Sequence, residues 1–117
     1  TSNFGYRLSP WGDAVKMHKG IDIASPIGSP VFAPSEGTIV YAGYKGGYGN
    51  TVIIDHGYGI STLYGHNSEL FVKEGDKVDR GSRISAVGNT GSSTGPHLHY
   101  EVHVDGMPTD PMKYIFE

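Results

Sequence analysis

Near its C-terminal end the chain reads "GPHLHYE", Gly95 to Glu101, with two histidines separated by one leucine. A β-strand sends residues i and i+2 to the same face. In an extended run, His97, His99 and Glu101 therefore point one way and Leu98, Tyr100 and Val102 the other. Imidazoles on one face can hold a metal ion or move protons, although a half-buried strand with polar residues on its solvated side has the same pattern. At ~3.3 Å per residue, His97 and His99 lie about 6–7 Å apart along the backbone, so one can ligate an ion while the other reaches its bound water.

Four other histidines occur, at 18, 56, 66 and 103. His18 belongs to "MHKGIDIA", with Asp22 four residues on. In an extended or gently bent segment His18, Gly20 and Asp22 can face one side while Ile21 and Ile23 enter the core, and Gly20 allows a close approach. The two polar side chains could then converge on an ion; a surface histidine and a turn aspartate fit the same residues. The zincin helix H-E-x-x-H is excluded, because Lys19 follows His18 and the glycine with its flanking isoleucines disfavours a helix. No carboxylate base is supplied locally, so a proton taken from a metal-bound water must go elsewhere, and neutral imidazole is the best candidate. His66 ends the strand-like "GISTLYGH", where a side chain can project into a cleft. His56, in "IDHGYG", reads as a solvated turn histidine. His103 shares a face with His97 and His99 but sits roughly 13 Å from His99, too far to share its ion.

The elements that must position these residues are short. Eighteen glycines and seven prolines, with frequent Val, Ile, Thr and Tyr, favour strands joined by tight turns over long helices. Strands are expected at Thr38 to Tyr44, Thr51 to His56, Ile60 to His66, Arg83 to Val87 and Leu98 to Asp105, after a loop-rich entry over residues 1–30 that contains one short strand in "GIDIA". "IDHGYGIST" reads as a hairpin and "VDGMP" as a turn. The final "DPMKYIFE" can form a short helical turn that tucks Tyr114 and Phe116 against the sheet. The expected architecture is all-β: a single compact domain, residues 1–117, on an antiparallel sheet with long loops around a cleft.

At 117 residues the chain is large enough for one hydrophobic core and too small for two. A net charge of -3 carries no clustered basic footprint for nucleic acid or an anionic membrane surface. No apolar run approaches the ~20 residues that span a bilayer, and none resembles a signal peptide. A start at Thr1 rather than methionine fits a processed or excised piece from which a targeting segment is gone. With no cysteine, disulfides and thiolate ligands are excluded, and any metal must be held by His, Asp or Glu.

Three ordered elements, "HKGID", "LYGH" and "TGPHLHYE", together resemble the LytM/lysostaphin-type zinc metallopeptidases, peptidase family M23. The stretches "GGYGNTVIIDHG" and "KEGDKVDRGSRI" match the family's framework, and the resemblance runs from "FGYRLSP" to "DPMKYI". It implies a zinc endopeptidase acting on peptidoglycan peptides outside the cytoplasm, in periplasm or cell wall. It implies further that His18, Asp22 and His99 bind Zn2+ while His66 and His97 are the catalytic pair. Three protein ligands plus water is the catalytic zinc arrangement. The implied mechanism is attack of a zinc-bound water on a polarised carbonyl, with the two imidazoles handling protons and the developing oxyanion. Family members cut either glycine-rich bridges or D-Ala-containing cross-links, and the framework reads more like those acting on directly cross-linked wall.

Two other readings compete. Some relatives have lost ligand or catalytic residues and act as silent regulators of other wall hydrolases; here all five positions are filled. "VFAPSEGTIVYAG" followed by "VKEGDKVDRGSRISAVG" also resembles biotinyl/lipoyl carriers. A carrier displays its lysine beside Met or a small residue; Lys45 lacks that setting, and a carrier has no use for the histidines.

Overall fold

A computed structural model describes residues 5–7, 16–18, 21–91 and 95–109, with side chains from Asp22 onward. The strands are β1 (Gly5–Arg7), β2 (Lys16–His18), β3 (Ile21–Ala24), β4 (Pro30–Phe32), β5 (Gly37–Tyr44), β6 (Asn50–Gly57), β7 (Ile60–Leu70), β8 (Lys77–Val78), β9 (Arg83–Val87), β10 (His97–Val104) and β11 (Met107–Thr109). Among the described residues the helical structure is a single 3-10 turn, Gly46–Tyr48. The expected C-terminal helical turn lies outside the described residues.

β1 pairs antiparallel with β2 as a separate ribbon. The remaining strands form one antiparallel sheet in the order β11-β10-β7-β6-β5-β8, with β3 beside β10 and β9 linking β7 to β4. All five strands expected in the body of the chain are present, within a residue or two except for β7, which runs four residues past His66. β4, β8 and β11 are two or three residues long and carry too little alternation to be read from sequence.

The β6–β7 hairpin follows from its turn. Gly57 pairs with Ile60, leaving Tyr58 and Gly59 as a two-residue loop, both with positive φ (55° and 76°). That is the combination whose twist matches the flanking strands. Val52, Ile54 and Tyr64 from this hairpin join Ile39, Val31, Val78, Ile84 and Val87 in the core, and Leu98 and Tyr100 of β10 pack against it. The opposite face of β10 carries His99 and Glu101.

An irregularity in β7 prepares the site. Val52 pairs with Tyr64 and Asn50 with Asn67, two steps on β6 against three on β7, so one extra residue is accommodated around Gly65 and His66. Strict alternation from Tyr64, a core residue, would turn His66 into the core as well. Instead His66 takes φ 63°, a left-handed conformation uncommon for a non-glycine residue.

Asn67 holds this bulge. It is 0% exposed; its amide donates to the carbonyls of Asn50 (2.8 Å) and Tyr64 (2.9 Å), and its Oδ1 accepts from Ser85 Oγ (2.8 Å). Its own carbonyl accepts from Thr90 Oγ1 (2.7 Å) and Asn50 Nδ2 (3.1 Å). Replacing Asn67 with alanine removes three buried hydrogen bonds and strands their partners, at a cost of about 2–4 kcal/mol. Urea denaturation of Asn67→Ala against wild type measures this; a loss under about 0.5 kcal/mol, the scale of an ordinary surface substitution, would mean the bulge is held by other contacts.

Candidate metal centre

β10 lies between β3 and β7, and the register brings the candidate residues together. His99 is opposite Asp22 on one side and Gly65 on the other. His99 Nδ1 lies 2.8 Å from Asp22 Oδ1, and His97 Nε2 is 3.4 Å from the same oxygen. The bulge brings His66 over to this side of the sheet: its ring centroid is 4.7 Å from that of His97 and 6.0 Å from that of His99. Of the five expected site residues, Asp22, His66, His97 and His99 are therefore gathered in one place from three strands 77 residues apart in sequence at the extreme. The fifth, His18, ends β2 opposite Gly5; its side chain lies outside the described residues. Among the described residues no group of three or more acidic or histidine side chains is arranged to hold a metal ion by itself. Asp22 and His99 supply two converging donors.

The imidazoles are oriented by carbonyl groups, which can only accept. His66 Nδ1 donates to the Thr90 carbonyl (2.6 Å) and His97 Nδ1 to the Gly95 carbonyl (2.7 Å). In the neutral ring each then keeps its lone pair on Nε2. Burial pushes the His66 pKa below its usual 6.5; the Thr90 bond opposes this, and the nearby His97 and His99 reinforce it. His66 is therefore held neutral near pH 7.

His99 stands between two carboxylates. Nδ1 faces Asp22, and Nε2 lies 2.7 Å from Glu101 Oε2. A neutral imidazole has one N–H, so both contacts are satisfied only by a second proton or by a cation in its place. Burial alone would lower the His99 pKa, but the bonds to Asp22 and Glu101 outweigh it and raise it to about 9. This donor set fits a divalent cation: a carboxylate oxygen and a ring nitrogen meet at one point, with a second carboxylate behind the ring.

Glu101 shares the face of His99 through the period of the strand, but the sequence does not disclose its burial, 1% exposed against 9% for His99. The face expected to be wet is buried at His99 and Glu101 and only partly exposed at His97 and His103. Glu101 Oε1 accepts from His103 Nε2 (2.7 Å), so His103 is joined to His99 through a carboxylate although the spacing excludes direct contact. Tyr48 also bonds Glu101, and its ring centroid lies 5.6 Å from that of His99. Burial and the carboxylate raise the Tyr48 pKa to about 12, so it stays a donor. Tyr48 stands beside Gly65, where an added Cβ would meet its backbone oxygen at 3.3 Å. Nothing local in "GGYGN" marks this tyrosine.

His56 differs from expectation. It lies in β6, half-buried, and Nδ1 donates to the Glu36 carbonyl (2.9 Å). Nε2 is 2.7 Å from Thr62 Oγ1, which in turn is 2.7 Å from the Tyr64 hydroxyl. The strand reaches one residue beyond His56, and this chain of hydrogen bonds gives it a structural role.

The model of peptidase family M23 matches residues 16–111. A DD-carboxypeptidase/endopeptidase of Neisseria meningitidis serogroup B, Mpg, is 49% identical over 112 residues, covering 96% of this chain and 26% of Mpg. The chain thus spans about a quarter of the length of this curated relative. A zinc-containing peptidase from Vibrio cholerae superposes with TM-score 0.88 at 39% identity, over 100% of this chain and 36% of that one. The catalytic domain of the antimicrobial peptidase lysostaphin from Staphylococcus simulans gives 0.83 at 37% identity, over 97% and 88% of the two chains.

In chelator-treated protein the site should impose a pH dependence on stability. His99, raised from 6.5 to about 9, contributes stability that is fully present below pH 6.5 and lost as the pH rises through about 9. Glu101, lowered from 4.5, contributes stability present above that value and lost at lower pH. His66 acts oppositely to His99, because charging it below pH 6.5 costs stability. Urea midpoints recorded with excess chelator should therefore decline above pH 6.5 in wild type and decline less in His99→Gln; parallel curves for the two proteins would refute the assignment.

Proposed function

The chain belongs to peptidase family M23, and on that premise we propose that residues 1–117 are the catalytic domain of a longer protein that hydrolyses peptide bonds in peptidoglycan, using zinc. The observation that carries this reading is the convergence of Asp22 Oδ1 and His99 Nδ1 beside the paired rings of His66 and His97. It is supported by the 49% identity to an enzyme named for DD-carboxypeptidase and endopeptidase activity, and by the likeness to a zinc-containing peptidase. The bond we assign is accordingly a D,D-peptide bond of directly cross-linked wall. The site of action is outside the cytoplasm, where that polymer lies. No helix among the described residues is long and apolar enough to cross a membrane.

Asp22, His99 and His18 would hold the ion. When bound, zinc polarises the scissile carbonyl and lowers the pKa of water to about 7. The remaining work falls to His66 and His97. Each donates Nδ1–H to a backbone carbonyl, which sets the ring's orientation, and His97 Nε2 lies 3.4 Å from Asp22 Oδ1. A neutral His66 can accept a proton from the attacking water at neutral pH. With ring centroids 4.7 Å apart, the two imidazoles can divide the tasks of removing that proton, donating to the developing oxyanion and protonating the leaving amine.

The reading separates ligands from proton carriers, and single variants test the separation. His97→Ala should retain zinc and lose turnover by about 10²–10⁴-fold, the usual contribution of a general acid or base. His18→Ala and Asp22→Ala should lose zinc and turnover together. Metal analysis and cleavage of purified muropeptides, with mass analysis of the products, supply both measurements and identify the bond cut. Zinc bound with no turnover on any muropeptide would point instead to a silent regulator.

A further inference from the structure

The buried side of His99 holds a carboxylate that the proposed reaction does not use. Glu101 is 1% exposed and lies opposite Leu63, itself buried, so water does not solvate it. A carboxylate in such a place is costly unless its oxygens are hydrogen-bonded. Oε2 faces His99 Nε2 and Oε1 faces His103 Nε2, each at 2.7 Å, and the Tyr48 hydroxyl bonds the same group. Engaged at both ends, the carboxylate has a defined orientation.

With a cation at the meeting point of Asp22 and His99, one neutral tautomer of His99 satisfies both of its carboxylate contacts. A proton on Nδ1 would leave the Nε2 lone pair pointing at Glu101 Oε2, acceptor against acceptor at 2.7 Å. A proton on Nε2 is donated to Glu101, and the Nδ1 lone pair then lies 2.8 Å from Asp22 Oδ1, a contact of two acceptors that a cation ligated by both would satisfy. We infer that Glu101 is a positioning residue of the metal centre: by accepting Nε2–H it commits His99 to present Nδ1 to the ion, while His103 and Tyr48 hold Glu101 in that attitude. The inference rests on the zinc-site reading above and assigns work to three residues outside the ligand and proton-carrying sets. His103, half-exposed at the outer end of the chain of bonds, thereby becomes part of the metal site without touching the ion.

Two measurements test it on the chain as it stands. Nitrogen-15 spectra of the histidine rings in the zinc-loaded wild type should show His99 protonated at Nε2; a proton on Nδ1 overturns the inference. Competition with a chromogenic chelator should show zinc affinity reduced by about 10–100-fold in Glu101→Gln, the range typical of lost outer-shell partners of ligating histidines. His103→Ala should show a smaller loss, and His103→Gln, whose amide can still donate to Glu101, should recover part of it. Wild-type affinity in a folded Glu101→Gln overturns the inference and leaves the zinc-site reading standing. Failure of the wild type to take up zinc overturns both. Should Glu101→Gln fail to fold, the wild-type spectra and the His103 pair still decide the question.

Discussion

The site depends on one piece of register. His99 on β10 is flanked by Asp22 on β3 and Gly65 on β7, and a slip of one residue on either side would send the polar face of β10 into the core. The alternate face prevents that slip, because Leu98 and Tyr100 pack against the apolar core and Val102 is fully buried. Hydrophobic packing on one face thus sets the chemistry on the other. Gly65, with no side chain, leaves the space beside His99 to Tyr48.

The second determinant is the departure from regular pairing at His66. A strand can present a residue to only one face, and Tyr64 has already committed that parity to the core. The bulge changes the parity for one residue at the cost of a left-handed backbone conformation, which persists because the neighbours over-determine it. Asn67, Asn50, Thr90 and Ser85 form the connected polar group that does so. The same Thr90 contributes the carbonyl that orients the His66 ring. Glycine is required where this loop meets the next: Gly49 has φ 69°, and a Cβ there would lie 2.5 Å from Thr90.

Electrostatically the site is a row in which histidines alternate with carboxylates: Asp22, His99, Glu101, His103. Burial penalises charge on His99 and Glu101, and mutual hydrogen bonding offsets the penalty. The outcome differs across the cleft. His99, between two carboxylates, favours a cation at Nδ1, whereas His66, bonded only to a carbonyl on that ring edge and facing other imidazoles, is driven neutral. One residue type is thereby prepared for two tasks by its surroundings.

Much of this was legible in the chain. The glycine-rich, β-branched composition and the period-two runs specified an all-β antiparallel domain, and the spacing in "HLHYE" specified which side chains share a face, because both are properties of a single strand and its turns. The ordered "HKGID", "LYGH" and "HLHYE" elements singled out Asp22, His66, His97 and His99, which the sheet brings together. Four things were decided only by tertiary structure. The parity change at His66 needs a partner strand to define what is in register. The burial of Glu101 needs the neighbouring strands and the Tyr48 turn to exclude water. His56 became a bonded structural residue because Glu36 and Thr62 lie beside it. His103 joined the site because a buried carboxylate bridges a distance its own side chain cannot. A sequence specifies local periodicity, but cross-strand partners and solvent exclusion arise only when segments distant along the chain are packed together.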